Sequence, residues 1–221
     1  MDNFTLIQKI VLWGIPLIFA ITLHEVAHGW MANKLGDSTA RLLGRITLNP
    51  IKHIDLLGTI ILPALLIFLG GFIFGWAKPV PVNWNNLNKP RRDMALVALA
   101  GPFANLLMAL FWGLIAKLGL YLLNADFYQT VGSVLYTMGF LGIYLNLLIA
   151  IFNLVPLPPL DGSRILSSFL SPTWARSYSK IEPYGLFILF GLLALGATQK
   201  FLSPLVAELT HWIYLLFGLP Y

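Results

Sequence analysis

The residues best suited to chemistry in this 221-residue chain are consecutive: His24-Glu25-Val26-Ala27-His28. Histidines four apart share one face of a helix, so both can aim a ring nitrogen at a single tetrahedral ion. Glu25 lies about 60° around the helix from His28, within reach of water at that ion, and suits a general base. The chain holds four His and three Glu, so chance would produce this pattern in roughly one in a thousand sequences of its composition. The chemistry on offer is zinc-assisted hydrolysis of a peptide bond. The alternative, a pair of satisfied core histidines, leaves Glu25 buried with nothing to bond.

The elements that must position these groups are membrane helices. The chain is 58% hydrophobic and 10% charged, with several apolar stretches of about 20 residues, the length that crosses a hydrocarbon core. We expect an all-α polytopic membrane protein with five to six transmembrane helices. Three form the core, at residues 6–33, 94–118 and 131–153, and a C-terminal helical hairpin covers 183–218. The whole chain reads as one membrane domain, and its N-terminal apolar run reads as a retained span without a cleavage site.

Charge placement sets the expected topology. Lys34, Arg41, Arg45 and Lys52 follow the first span, and Lys78, Lys89, Arg91 and Arg92 follow the apolar stretch 56–75, so both loops read as cytoplasmic. One crossing cannot join two loops on the same side. The stretch 56–75, interrupted by Pro63 and Gly70-Gly71, is therefore expected to enter and leave as a re-entrant element. The N-terminus then lies outside, and His24 and His28 lie toward the cytoplasmic side. The formal charge of +5 reports topology and contact with anionic lipid, and no nucleic-acid role is expected.

A catalytic zinc usually has three protein ligands and one open position, and a chain without cysteine must complete the set with His or a carboxylate. Asp161 is the candidate. It lies in Asn153-Leu154-Val155-Pro156-Leu157-Pro158-Pro159-Leu160-Asp161-Gly162, just beyond a helix that descends to the same side as His24 and His28. The prolines stiffen the segment, and Gly162 permits a sharp turn after the carboxylate. The competing reading is a loop salt bridge between Asp161 and Arg164. One Zn2+ per chain is expected on His24, His28 and Asp161.

Further residues extend the site. Asn105 and Asn153 each offer an amide N–H to a developing oxyanion, or else an interhelical hydrogen bond. In Gly75-Trp76-Ala77-Lys78-Pro79-Val80-Pro81-Val82-Asn83, alternate prolines strip donors from one edge while Val80 and Val82 keep theirs on the other. That one-sided edge can bind a substrate strand, or the segment is a passive linker. Gly101-Pro102 is read as a packing feature, and His53 and His211 as structural residues.

The HEVAH motif, Ala100-Gly101-Pro102-Phe103-Ala104-Asn105 and the Asn153–Gly162 segment together resemble the site-2 protease family of intramembrane zinc metalloproteases, peptidase family M50. The resemblance covers nearly the whole chain and is closest to the short bacterial or archaeal type without PDZ or CBS domain. It implies regulated cleavage of transmembrane protein substrates within the lipid bilayer of a prokaryotic cell. It also implies a small membrane-associated β-hairpin after the first core helix, within 56–92. Two other classes compete: a membrane metal-ion transporter, which requires metal sites strung across the bilayer, and a catalytically silent scaffold, which has no need of Glu25.

Overall fold

The computed structural model describes residues 4–68, 75–125 and 128–220. Helix α1 (Leu6–Lys34) opens on a capping box: Thr5 Oγ1 accepts the Gln8 N–H at 3.3 Å while Gln8 Oε1 accepts the Thr5 N–H at 2.8 Å. It ends before Gly36, whose φ of +112° suits a residue without a side chain. The short helix α2 (Thr39–Leu42) and helical turns at Pro50–His53 and Leu56–Ile61 lead into α3 (Leu62–Phe68). A turn at Trp84–Asn86 precedes α4 (Pro90–Leu123), which α5 (Gln129–Asn153) follows. The remaining helices are α6 (Asp161–Phe169), α7 (Pro172–Ser179), α8 (Gly185–Ala194) and α9 (Ala197–Phe217).

Helices α1, α4 and α5 form the core, as their apolar runs suggest, and these three are long and apolar enough to cross a membrane. The chain is thus an all-helical membrane protein among the described residues. Among the described residues, length and apolarity support three spans rather than the expected five to six. Helix α8 has 10 residues, about 15 Å, and α9 is interrupted by Lys200, Glu208 and His211. Helix α9 packs on the back of the core, where Val206, Ile213 and Tyr214 meet Ala109 and Trp112 of α4 and Ile143 and Leu147 of α5.

Helices α4 and α5 approach through small residues. A Cβ at Gly119 would stand 2.7 Å from the Tyr136 Cα, and one at Gly139 would stand 2.7 Å from the Ala116 Cα. In lipid there is little hydrophobic drive between helices, so such close backbone contact supplies the dispersion energy that holds them.

The expected β-hairpin does not form among the described residues. Residues 75–83 run extended without a partner strand, because Pro79 and Pro81 have no N–H and neighbouring donors go elsewhere. Trp76 N–H bonds the Gly58 carbonyl at 3.1 Å, Lys78 N–H the His53 carbonyl at 2.9 Å, Val80 N–H the Glu25 carboxylate at 2.7 Å and Asn83 N–H the Asp37 carboxylate at 2.7 Å. Thr59 Oγ1 also donates to the Trp76 carbonyl at 2.8 Å, so the chain that leaves at 58–59 is tied to the chain at 76. Part of the expected re-entrant element, including Gly70-Gly71, lies outside the described residues.

Candidate metal centre

Helix α1 presents His24 and His28 one turn apart, their Nε2 atoms 3.0 Å from each other and their ring planes 86° apart. Helix α4 turns the other edge of each ring. His24 Nδ1 lies 2.6 Å from Asn105 Oδ1, and His28 Nδ1 lies 2.7 Å from the Val97 carbonyl. A carbonyl oxygen only accepts, so His28 must carry its proton on Nδ1. The Asn105 amide is oriented the same way: its Nδ2 donates to the Ala20 carbonyl at 3.1 Å and to Asn146 Oδ1 at 2.9 Å, leaving Oδ1 for His24. Asn146 is oriented in turn by donating to the Gly142 carbonyl at 2.9 Å. Both imidazoles therefore bear Nδ1–H, and in the neutral ring each Nε2 has a lone pair for a metal ion.

The chain bends after α5 so that Asp161, the first residue of α6, meets these lone pairs. Its Oδ2 stands 3.2 Å from His24 Nε2 and 3.3 Å from His28 Nε2. That oxygen is buried, with the two imidazole nitrogens its polar neighbours. Gly162 is not the turn expected of it: it lies within α6 at negative φ. Its smallness serves close approach instead, since a Cβ there would stand 2.5 Å from the Leu154 carbonyl carbon.

With both imidazoles neutral, three lone pairs converge on one point, where a single cation could bind all of them. Zinc bonds of about 2.0–2.1 Å at tetrahedral angles place ligand atoms roughly 3.3 Å apart, close to the 3.0–3.3 Å separations here. The donor set, two neutral imidazoles and a carboxylate, is one that zinc favours, and both rings already have the outer hydrogen bonds that orient such ligands. His24, His28 and Asp161 thus form a group able to hold a metal ion. Gly101 makes room for it. A Cβ at 101 would stand 2.6 Å from His28 Cε1 and 2.7 Å from His24 Cε1, so the glycine lies mid-helix in α4 because the rings occupy its side-chain space.

Residues 14–196 match the family model for peptidase family M50. The chain belongs to that family. It is 42% identical over 179 residues, 81% of this chain and 78% of the relative, to the "Putative zinc metalloprotease YwhC" of Bacillus subtilis. Two proteins named "Putative zinc metalloprotease Rip2" are also similar. The one from Mycolicibacterium smegmatis is 31% identical over 89% of this chain and 70% of its own length. The one from Mycobacterium tuberculosis is 29% identical over 91% of this chain and 72% of its own length. No solved structure matches. As a member of peptidase family M50 the chain is a metalloprotease.

The remaining candidates of this M50 chain are placed as follows. Glu25 lies beside the metal group, its Oε2 accepting the Val80 N–H at 2.7 Å. Val80 is buried against α1, where a Cβ at Gly29 would stand 2.9 Å from Val80 Cγ1, and Val82 packs beside Ala32, Leu87 and Val97. Asn105 spends both amide hydrogens on Ala20 and Asn146, so it reaches His24 as an acceptor. Asn153 donates to the Ile149 carbonyl at 3.0 Å within its own helix. Arg164 does not pair with Asp161; it bonds Glu182 and lies over the Trp84 ring. His53 is buried and bonded to the Thr47 carbonyl at 2.9 Å.

Three contributors escaped the reading of the sequence. Asn146 is fully buried in apolar α5, and an amide in such a span is costly enough to have been the signal. The Val97 carbonyl left no signal, since every residue has one. Asp37, also fully buried, accepts from the Asn83 N–H, Asn86 Nδ2, the Thr39 N–H and Thr39 Oγ1. Burial alone would raise its pKa, but the bonds from Thr39, Asn83 and Asn86 outweigh it and hold the carboxyl below the usual carboxylate range.

Proposed function

We propose that this M50 metalloprotease is an intramembrane zinc endopeptidase that cleaves within or near transmembrane segments of membrane-protein substrates. The convergence of His24 Nε2, His28 Nε2 and Asp161 Oδ2, at 3.0–3.3 Å from one another, carries the reading. His24, His28 and Asp161 would hold one zinc ion per chain. Zinc bound there supplies acidity to water and polarises the scissile carbonyl. Asn105 and the Val97 carbonyl keep the imidazoles in the binding tautomer and orientation, roles that support ligand basicity. Glu25 Oε2 takes a proton from the attacking water and returns it to the departing amine. Asn153 keeps one amide hydrogen beyond its bond to Ile149 and is proposed to donate to the oxyanion. The extended segment 78–83, lying against Glu25, is proposed to align the peptide beside the general base, with Val80 and Val82 facing α1.

The placement of Lys and Arg supports a topology with the N-terminus outside, the metal group toward the cytoplasmic side of a prokaryotic membrane and 56–75 re-entrant. The bond from Thr59 to Trp76 favours such an element, since it returns the chain to the level at which it departed. The partners are then a transmembrane protein substrate and the lipid bilayer.

The test is cleavage of a transmembrane peptide carrying helix-breaking residues, reconstituted with the protein in vesicles, with zinc flux followed in the same vesicles. A cut within or beside the embedded segment, without zinc movement, is expected. Zinc transport without a cut would contradict the proposal and favour a transporter.

A further inference from the structure

The segment 78–83 is fastened to α1 and the chain just beyond it at three levels. At one end, Arg45 Nη2 donates to the Lys78 carbonyl at 3.0 Å and the Pro79 carbonyl at 3.3 Å. In the middle, Val80 sits on Gly29 and gives its N–H to Glu25 at 2.7 Å. At the other end, Asp37 accepts the Asn83 N–H at 2.7 Å and Asn86 Nδ2 at 3.0 Å, while the Asn88 N–H bonds the Leu35 carbonyl at 2.9 Å. Asp37 has no exposed surface, and its other two accepted bonds, from Thr39, fix the carboxylate to the turn after α1.

An extended chain that slips by one residue exchanges its two edges. Here a slip in either direction would bring Pro79 or Pro81 opposite Glu25, and neither has an N–H to give. Neither neighbouring register satisfies the Glu25 carboxylate, and Arg45 and Asp37 hold the segment in this one from both ends.

We infer that Asp37 and Arg45 are positioning residues that set which peptide bond is cut, by holding the 78–83 segment in one register against the helix that carries His24, Glu25 and His28. The inference rests on the endopeptidase reading. A peptide laid along this segment takes its register from it, so loosening either end lets neighbouring bonds reach the site while the metal ligands stay in place.

The experiment uses the full chain in vesicles, zinc-loaded, with a transmembrane peptide that the wild type cuts at one bond, and locates the cuts by mass spectrometry. Asp37→Ala and Arg45→Gln should each keep the wild-type zinc content, raise KM roughly tenfold and spread the cut over neighbouring bonds. Asp37→Asn, which retains an acceptor oxygen, should partly restore the single cut. A merely structural role would lower the rate without moving the cut. A single unchanged cut in both Asp37→Ala and Arg45→Gln, with zinc retained, would overturn the inference while leaving the endopeptidase reading intact; if Asp37→Ala fails to fold, Arg45→Gln decides. Absence of any wild-type cleavage would instead remove the endopeptidase reading, and this inference with it.

Discussion

Asn105 Oδ1 takes the Nδ1–H of His24 at 2.6 Å, so an amide from α4 dictates which nitrogen of an α1 histidine faces Asp161. The amide can do this because Ala20 and Asn146 occupy both its hydrogens. Orientation thus passes from Gly142 through Asn146 and Asn105 to His24, across all three core helices.

Replacing Asn105 should therefore weaken metal binding without touching a metal ligand. For Asn105→Leu we expect zinc affinity to fall by roughly 10–100-fold, measured by competition with a chromophoric chelator. Asn146→Leu should act in the same direction but more weakly, because Asn105 keeps its bond to Ala20. Unchanged affinity in both variants would show that the amide chain does not tune the site.

Gly101→Ala should displace the imidazoles, since the added methyl would lie within 2.7 Å of ring carbons of both His28 and His24. Zinc content after dialysis should drop well below that of the wild type, while the helical circular dichroism is retained. Full zinc content would show that the rings can yield without cost.

Gly139→Ala tests the core rather than the site. The new Cβ would meet the Ala116 backbone, which cannot rotate away, and forcing the helices apart should cost about 1–3 kcal/mol. A lowered thermal midpoint in detergent, with zinc content unchanged before the transition, is the expected result.

The Asp37 carboxyl predicts an acid limit for the 78–83 segment. Its pKa is lowered in the folded chain by the bonds from Thr39, Asn83 and Asn86. Its contribution to stability is then fully present above the unfolded value of about 4 and is lost as pH falls through the lower folded value. Hydrogen exchange at the Asn83 amide, corrected for its intrinsic pH dependence, should stay slow from neutral pH to about 5 and rise below about 4. Asp37→Asn should abolish that rise.

What the sequence reveals depends on how local each determinant is. The spacing of His24 and His28 is itself helical geometry, so the pair is legible without a structure. Asp161 is legible because its proline-rich surroundings mark the end of a span on the matching side. The long spans of α1, α4 and α5 follow from apolar length alone. The 75–83 segment misleads because alternate prolines describe a strand edge, whereas a strand needs a partner, and here the donors find Gly58, His53, Glu25 and Asp37. Asn105 is only half legible for a related reason. Its residue type offers both donor and acceptor, and only Ala20 and Asn146, distant in sequence, decide which end meets His24. The C-terminal helices are less legible, because their apolar residues serve packing on α4 and α5 as well as they would serve lipid contact.

The metal centre is tested most directly by the zinc content and X-ray absorption spectrum of the purified chain beside Asp161→Ala and His28→Ala. The account predicts one zinc per wild-type chain, bound by two imidazoles and a carboxylate oxygen, with occupancy sharply reduced in both variants. A zinc-loaded wild type that retains no metal, or an Asp161→Ala chain whose zinc content and spectrum match the wild type, would contradict it.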